Sequence, residues 1–315
     1  MANEDGADKG VFDARVCWNR RLRGHFAKLQ LAFTGPGGEA MAGFKAGQFV
    51  QIDLSTAAVP AEETIPEELR DVARREVLLR RPFSFADVHS ENGRTTADLL
   101  YCVIGPGTLR MTTLKPGDVV SVIGPLGNGF WVPSGKETAL LVGGGMGTPP
   151  LQCMARTLTE EYGRMNVVAL AGARTADELP FEGRKMDEIS NQLGFFVREF
   201  AQFGIESVVA TDDGSAGAKG FVTDCLGSWL DENRPAAESL VIYACGPEAM
   251  LARTAKVARN RRIDCQMSME RRMGCGIGLC QSCAIECRVD GSQETIYKLC
   301  CKDGPVFEGK EVVFN

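Results

Sequence analysis

From about residue 10 to 135 the chain alternates apolar and polar positions with a period of two. Examples are Lys28-Leu29-Gln30-Leu31, Gly47-Gln48-Phe49-Val50-Gln51-Ile52-Asp53-Leu54 and Asp118-Val119-Val120-Ser121-Val122. Successive side chains of a strand point to opposite faces, so this pattern predicts half-buried strands. Turn signals separate them at short spacing: Thr34-Gly35-Pro36-Gly37-Gly38, Glu91-Asn92-Gly93 and Lys115-Pro116-Gly117-Asp118. Short strands between such turns predict an antiparallel barrel or sandwich. Between Ala58 and Val77 the composition turns acidic and helix-friendly, with Glu62, Glu63, Glu67, Glu68, Leu69, Val72 and Ala73. That excursion is expected to cap one end of the barrel.

From about 136 to 262 the rhythm becomes strand, glycine turn, helix. Ala139-Leu140-Leu141-Val142 runs into Gly143-Gly144-Gly145-Met146-Gly147, and Leu151, Met154, Ala155 and Leu158 then fall at helical spacing. The near-continuous apolar run Val167-Val168-Ala169-Leu170-Ala171 reads as a parallel strand buried on both faces. Further strands are expected at Ser207-Val208-Val209-Ala210 and Leu240-Val241-Ile242-Tyr243. A helix should follow the last of these, with Met250, Leu251, Thr254, Val257 and Ala258 on one side. Beyond about 263 the chain is short, cysteine-rich and broken by glycine. The reading is therefore a β-barrel (10–135), a parallel-sheet α/β domain (136–262) and a small C-terminal domain (263–315).

Composition narrows the function classes. The 315 residues are 44% hydrophobic and 24% charged, an ordinary globular balance. A net charge of −6, from 35 basic and 41 acidic residues with no long Lys/Arg run, leaves no electrostatic footprint for nucleic acid or anionic lipid. No stretch approaches the roughly 18 to 20 uninterrupted apolar residues of a membrane span. The polar start, with Glu4, Asp5 and Asp8, lacks the basic and apolar regions of a secretory signal, so a cytoplasmic location is expected. In a reducing compartment a dense cysteine cluster binds metal more often than it forms disulfides.

Six of the twelve cysteines lie between 275 and 301: Cys275, Cys280, Cys283, Cys287, Cys300 and Cys301. Cys275, Cys280 and Cys283 read C-x4-C-x2-C, the plant-type spacing for a [2Fe-2S] cluster whose fourth thiolate comes from further along the chain. Gly274, Gly276 and Gly278 suit a loop wrapped closely around a compact core with its N–H groups turned inward. Cys300 and Cys301 both qualify as the fourth ligand, with Cys287 behind them. Zinc is the alternative, but its sites usually pair two C-x2-C knuckles. A Rieske centre needs two histidines, and His25 and His89 both lie far upstream. Cys17, Cys102, Cys153, Cys225 and Cys265 read as small buried hydrophobes.

The remaining motifs are weaker one by one. Gly143, Gly144, Gly145, Gly147 and Thr148 stand between a strand and a helix, where backbone amides favour a phosphate, although the strict G-x-G-x-x-G fingerprint is not met. Cys245-Gly246-Pro247 ends another parallel strand, where open α/β sheets bind ligands, which makes Cys245 a candidate to face a nicotinamide. Arg81-Pro82-Phe83-Ser84 offers a guanidinium for a diphosphate and a hydroxyl for a polar ring edge. Gly105-Pro106-Gly107-Thr108 reads as a hairpin turn or as a loop of close approach to the same diphosphate.

Taken in order, Arg81 to Ser84, Gly107-Thr108, Gly143 to Leu151 and Cys245 to Pro247 resemble the ferredoxin reductase family. Met269-Glu270-Arg271-Arg272-Met273-Gly274-Cys275-Gly276, Cys301-Lys302-Asp303-Gly304-Pro305, Gly124 to Phe130 and Thr211 to Ser215 are similar to the electron transfer subunits of type B dihydroorotate dehydrogenases. The resemblance implies FAD in the barrel, with Arg81 on its diphosphate and Ser84 near its ring. It also implies NAD(H) in the α/β domain and a [2Fe-2S] cluster on Cys275, Cys280, Cys283 and Cys301, the Lys-Asp-Gly-Pro context selecting Cys301. The implied partner is an FMN-containing dihydroorotate dehydrogenase catalytic subunit in a 2+2 heterotetramer. Electrons would run from it through the cluster and FAD to NAD+ in pyrimidine biosynthesis. A subunit of an anaerobic sulfite reductase or soluble hydrogenase is the rival within this fold. A zinc-stabilised binding module is the rival from another class.

Overall fold

The computed structural model describes residues 9–180, 183–185, 195–289, 292 and 294–314. Glu4, Asp5 and Asp8, on which the reading of the N-terminal segment rested, lie outside them. The first half supplies β1 (Gly10–Arg21), β2 (Phe26–Thr34), β3 (Phe49–Ile52), β4 (Arg81–Phe83), β5 (Asp87–Glu91), β6 (Arg94–Cys102) and β7 (Val119–Leu126). They form a curled antiparallel sheet in the order β4-β3-β7-β1-β2-β6-β5. Every second residue turns inward: Ala14 and Val16, Leu29, Leu31 and Phe33, Val50 and Ile52, Ala97, Leu99 and Tyr101, Val120 and Val122 share one core. Asn92 (φ 52°) and Gly93 (φ 74°) are both left-handed, which matches the twist of the β5–β6 hairpin they join.

Two expectations are corrected here. Thr34 to Gly38 is a helix start and not a plain turn: α1 (Gly35–Ala42) lies across β1, β2 and β6. Gly37 and Gly38 let it sit that close, since a Cβ at Gly37 would stand 3.1 Å from Phe12 and one at Gly38 3.3 Å from the Phe33 carbonyl oxygen. In β3 all four residues are buried, although alternation predicted a half-buried strand, because the C-terminal segment covers the outer face that carries Phe49 and Gln51. The acidic excursion does pack on the barrel. Ile65, Leu69, Ala73 and Val77 join its core, and α2 (Arg70–Ala73) touches α3 (Pro106–Met111).

The second half supplies β8 (Thr138–Gly144), α4 (Thr148–Glu161), β9 (Asn166–Ala173) and a two-stranded ribbon, β10 (Gly183–Lys185) and β11 (Phe195–Val197). After α5 (Arg198–Ala201) come β12 (Glu206–Thr211), β13 (Ala218–Lys219), α6 (Val222–Asn233), β14 (Leu240–Cys245), α7 (Glu248–Arg261) and β15 (Asp264–Ser268). The hairpin β16 (Ala284–Arg288) and β17 (Thr295–Leu299) and the short β18 (Val306–Glu308) complete the chain. The sheet order is β13-β12-β9-β8-β14-β15-β18, parallel except where β18 runs against β15. Leu151, Met154, Ala155 and Leu158 of α4 are all buried, as their spacing predicts. Two strands from beyond residue 263 extend this sheet, so the cysteine-rich segment is laid along its edge. Cys283, Cys287, Cys300 and Cys301 share one apolar cluster with Phe49 and Leu126 of the barrel and Leu140 and Val142 of the parallel sheet.

Candidate functional site

The cysteine loop is organised by its own peptide N–H groups. Cys275 Sγ accepts from the N–H of Leu279 (3.3 Å) and of Cys280 (3.4 Å), and Cys280 Sγ accepts from the N–H of Cys275 (3.4 Å). Gly278 donates to Cys301 Sγ (3.2 Å), and Cys301 N–H donates to Cys283 Sγ (3.5 Å). Left-handed backbone at Gly276 (φ 71°) and Gly278 (φ 86°) turns these donors inward. The structure thus gathers Cys275, Cys280, Cys283 and Cys301. It turns Cys300 away, since that thiol donates to the Met269 carbonyl at 3.2 Å. Cys287 lies on β16, where burial first and then the nearby Glu311 push its thiol up to about 11. Gly127 and Asn128 grip the turn behind Cys301: Asn128 Nδ2 donates to the Asp303 carbonyl (2.9 Å), and a Cβ at Gly127 would stand 2.6 Å from the Gly304 oxygen.

The Ser282 hydroxyl and the Cys275 N–H hold the exposed Cys280 thiol down to about 6. Burial pushes Cys301 up to about 12, so its thiolate becomes the stable form only beside a cation. A two-iron core spreads four thiolates over two metals, whereas structural zinc gathers four around one. The donor set, four thiols with N–H groups aimed at sulfur, fits the [2Fe-2S] cluster.

A cavity of about 290 Å³ opens where the three parts of the chain meet. Its walls include Pro82, Phe83 and Ser84 from the barrel, Met146, Pro149, Pro150 and Cys245 from the parallel sheet, and Ser268 to Arg271 and Met273 ahead of the cysteine loop. That volume lies at the low end for ligand pockets and suits a flat ring. Burial pushes the Cys245 thiol well above its ordinary range, so it meets the cavity as a neutral group.

Arg81 and Gly107 are neighbours: a Cβ at Gly107 would stand 3.2 Å from Arg81 Cγ and 3.5 Å from its Nε. Arg81 Nη1 donates to the Leu79 carbonyl at 2.7 Å, while Arg80 is committed to Ser121 and Asp53. Gly105 to Thr108 is the first turn of α3 and not a hairpin. The Thr108 hydroxyl is spent on its cap, accepting from the N–H of Gly105 at 3.2 Å.

The glycine turn and the Cys245-Gly246-Pro247 turn pack on one another. A Cβ at Gly147 would stand 2.2 Å from the Cys245 carbonyl oxygen, and one at Gly144 2.8 Å from Pro247. Thr148 Oγ1 donates to the Gly145 carbonyl (3.0 Å), which closes the turn. Gly145 (φ 50°) faces open space. Pro149 and Pro150 remove two N–H donors from the first turn of α4, and the Thr148 N–H is spent on the Gly145 carbonyl, so anion binding there falls to the amides of residues 145 to 147.

Sequence reasoning missed Gln51 and Ser268, and took Glu270 and Pro149 only as parts of longer motifs. Their types carry no spacing signal, and only the meeting of three chain segments brings them to the cavity or the cysteine loop. It also missed the ion pair of Arg271 with Glu248 (3.0 Å), which ties the segment before the cysteines to α7.

A curled antiparallel sheet and a parallel sheet that meet at a ring-sized cavity, with a thiol loop on the third side, define a ferredoxin-reductase-like oxidoreductase. Residues 141–256 match the oxidoreductase NAD-binding domain, and residues 270–313 match the iron-sulfur cluster binding domain of dihydroorotate dehydrogenase B. The electron transfer subunit of dihydroorotate dehydrogenase B (NAD(+)) from Bacillus caldolyticus is 41% identical over 85% of this chain and 86% of its own. The Geobacillus kaustophilus subunit is 40% identical with the same coverage. The chain belongs to the family of dihydroorotate dehydrogenase B electron transfer subunits. Among solved structures, an NADH-dependent reduced ferredoxin-NADP oxidoreductase superposes with a TM-score of 0.69 at 27% identity, covering 96% of this chain and 90% of that one. The ferredoxin reductase of carbazole 1,9a-dioxygenase (TM-score 0.56, 20% identity, 81% of this chain and 67% of that one) shows the shared fold. The expected fold class and the set of FAD, [2Fe-2S] cluster and NAD(H) agree with this membership. The relatives favour the dihydroorotate reading over a sulfite reductase, a hydrogenase or a zinc-stabilised module.

Proposed function

We propose that the chain passes electrons between a dihydroorotate-oxidising partner and NAD+, and that the three-sided cavity is where its flavin ring sits. The observation that carries this reading is the meeting of Ser84, Cys245 and the segment leading into Cys275 around one cavity. Flavin, when bound, joins hydride exchange with nicotinamide to one-electron exchange with an iron–sulfur centre.

The chain's own residues supply the setting. Pro82, Phe83 and Ser84 wall one side of the ring, with Arg81 and Gly107 beside them for its diphosphate. Cys245, neutral through burial, and Gly246-Pro247 border the nicotinamide side, and Gly143 to Thr148 take the dinucleotide phosphates. Cys275, Cys280, Cys283 and Cys301 hold the cluster. Arg81→Ala is expected to weaken FAD retention by about 2 to 5 kcal/mol, the usual result of truncating one partner of a buried charge pair. Flavin per polypeptide after gel filtration measures it, and full occupancy would remove Arg81 from the site.

The partner is an FMN-containing dihydroorotate dehydrogenase catalytic subunit, joined in a 2+2 heterotetramer. It docks where Cys280 reaches the surface on the loop that also exposes Ile277 and Leu279. No substrate pyrimidine contacts this chain. Among the described residues no helix is long and apolar enough to cross a membrane. NADH-driven reduction of orotate tests the function: activity should require both subunits. Recovery of a sirohaem or nickel enzyme as the bound partner would overturn it.

A further inference from the structure

Gln51 sits in β3 with its side chain fully buried, and neither Nε2 nor Oε1 has a hydrogen-bond partner. A carboxamide left so is costly, because it gives up water and receives nothing in return. Such a group is retained where something else completes it. Val50 and Ile52 point into the barrel core, so alternation sends Gln51 outward with Phe49. Phe49 joins the apolar cluster that holds Cys283, Cys301 and Phe307. Gln51 lies against Gly276, where a Cβ would stand 2.1 Å from its Nε2. Gly276 immediately follows Cys275, and two residues on the Gly278 N–H already points at Cys301 Sγ. The missing side chain at 276 is therefore the opening through which the carboxamide faces the thiol loop.

We propose that Gln51 Nε2 donates a hydrogen bond through this opening to a sulfur of the iron–sulfur cluster, an inference that rests on the cluster reading above. Gln51 is then a positioning residue with an electrostatic role. A donor aimed at sulfur stabilises the more negative, reduced form, which raises the reduction potential. Gln51 also pairs in register with Pro82 of β4. The strand that reaches the cluster thus runs beside the one that walls the flavin.

The test is an EPR-monitored redox titration of the full-length holoprotein as wild type, Gln51→Leu and Gln51→Met. Loss of the donor is expected to disfavour the reduced cluster about tenfold, which is about 59 mV lower for a one-electron couple. The g values should change, with iron and flavin contents as in wild type. Gln51→Met keeps the length of the side chain without any N–H and should lower the potential as far, so it decides the matter where Gln51→Leu does not retain its cluster. A wild-type potential and EPR signal in Gln51→Met overturn the proposal, as does a shift confined to the flavin. Absence of any iron–sulfur signal from wild type would instead bring down the cluster reading.

Discussion

Cys301→Ser is expected to abolish assembly of the iron–sulfur cluster, whereas Cys300→Ser should leave it in place. Only one of these adjacent thiols belongs to the hydrogen-bonded loop. Cys301 Sγ accepts from Gly278 and its own N–H reaches Cys283, while Cys300 Sγ donates to the carbonyl of Met269. A serine at 300 keeps a hydroxyl for that carbonyl, so its cost is on the order of 1 kcal/mol in stability. A serine at 301 removes one of four thiolates. The loss should exceed the roughly 10- to 100-fold that outer-shell changes cost in metal affinity. Iron, acid-labile sulfide and visible absorbance of the purified variants measure the outcome. A cluster that survives at 301 and vanishes at 300 would reverse the assignment.

Gly147→Ala is expected to destabilise the parallel-sheet half and remove NADH binding. Its Cβ would stand 2.2 Å from the Cys245 oxygen, 2.3 Å from the Cys245 carbonyl carbon and 2.5 Å from Gly246 N. All three are backbone atoms, so no rotamer change relieves the collision, and the two ligand-binding turns must separate. Overpacking of this kind costs about 1 to 3 kcal/mol or more. Gly227→Ala in α6 is the natural control, because nothing lies within 4 Å of its Cβ position. Alanine there should stabilise by about 0.5 to 1 kcal/mol. Denaturant melts and NADH titration read both variants, and equal stability of the two would refute the close approach.

Much of this was legible locally. Period-two alternation located β2 and β7, and helical spacing picked out the four residues that α4 buries, because a core face repeats with the period of its element. Local rules failed where a neighbour far along the chain decided the outcome. Thr34 to Gly38 reads as a turn, yet Gly37 and Gly38 belong to α1, where only small residues fit between the helix and the strands beneath. Phe49 to Ile52 reads as half exposed, yet the segment around Gly276 covers it. The glycines at 144 and 147 read as a phosphate loop, and their first physical task is to let two turns touch.

The amino-acid sequence alone determined the two sheet types, the change of rhythm near residue 136, and the chemistry of a C-x4-C-x2-C loop, since periodicity and thiol spacing are properties of adjacent residues. Tertiary structure decided which later thiol joins that loop, which walls enclose the cavity, and that Gln51 meets the cysteines. Those are contacts between segments as far apart as residues 51 and 276, and their geometry depends on how two sheets and a loop pack together.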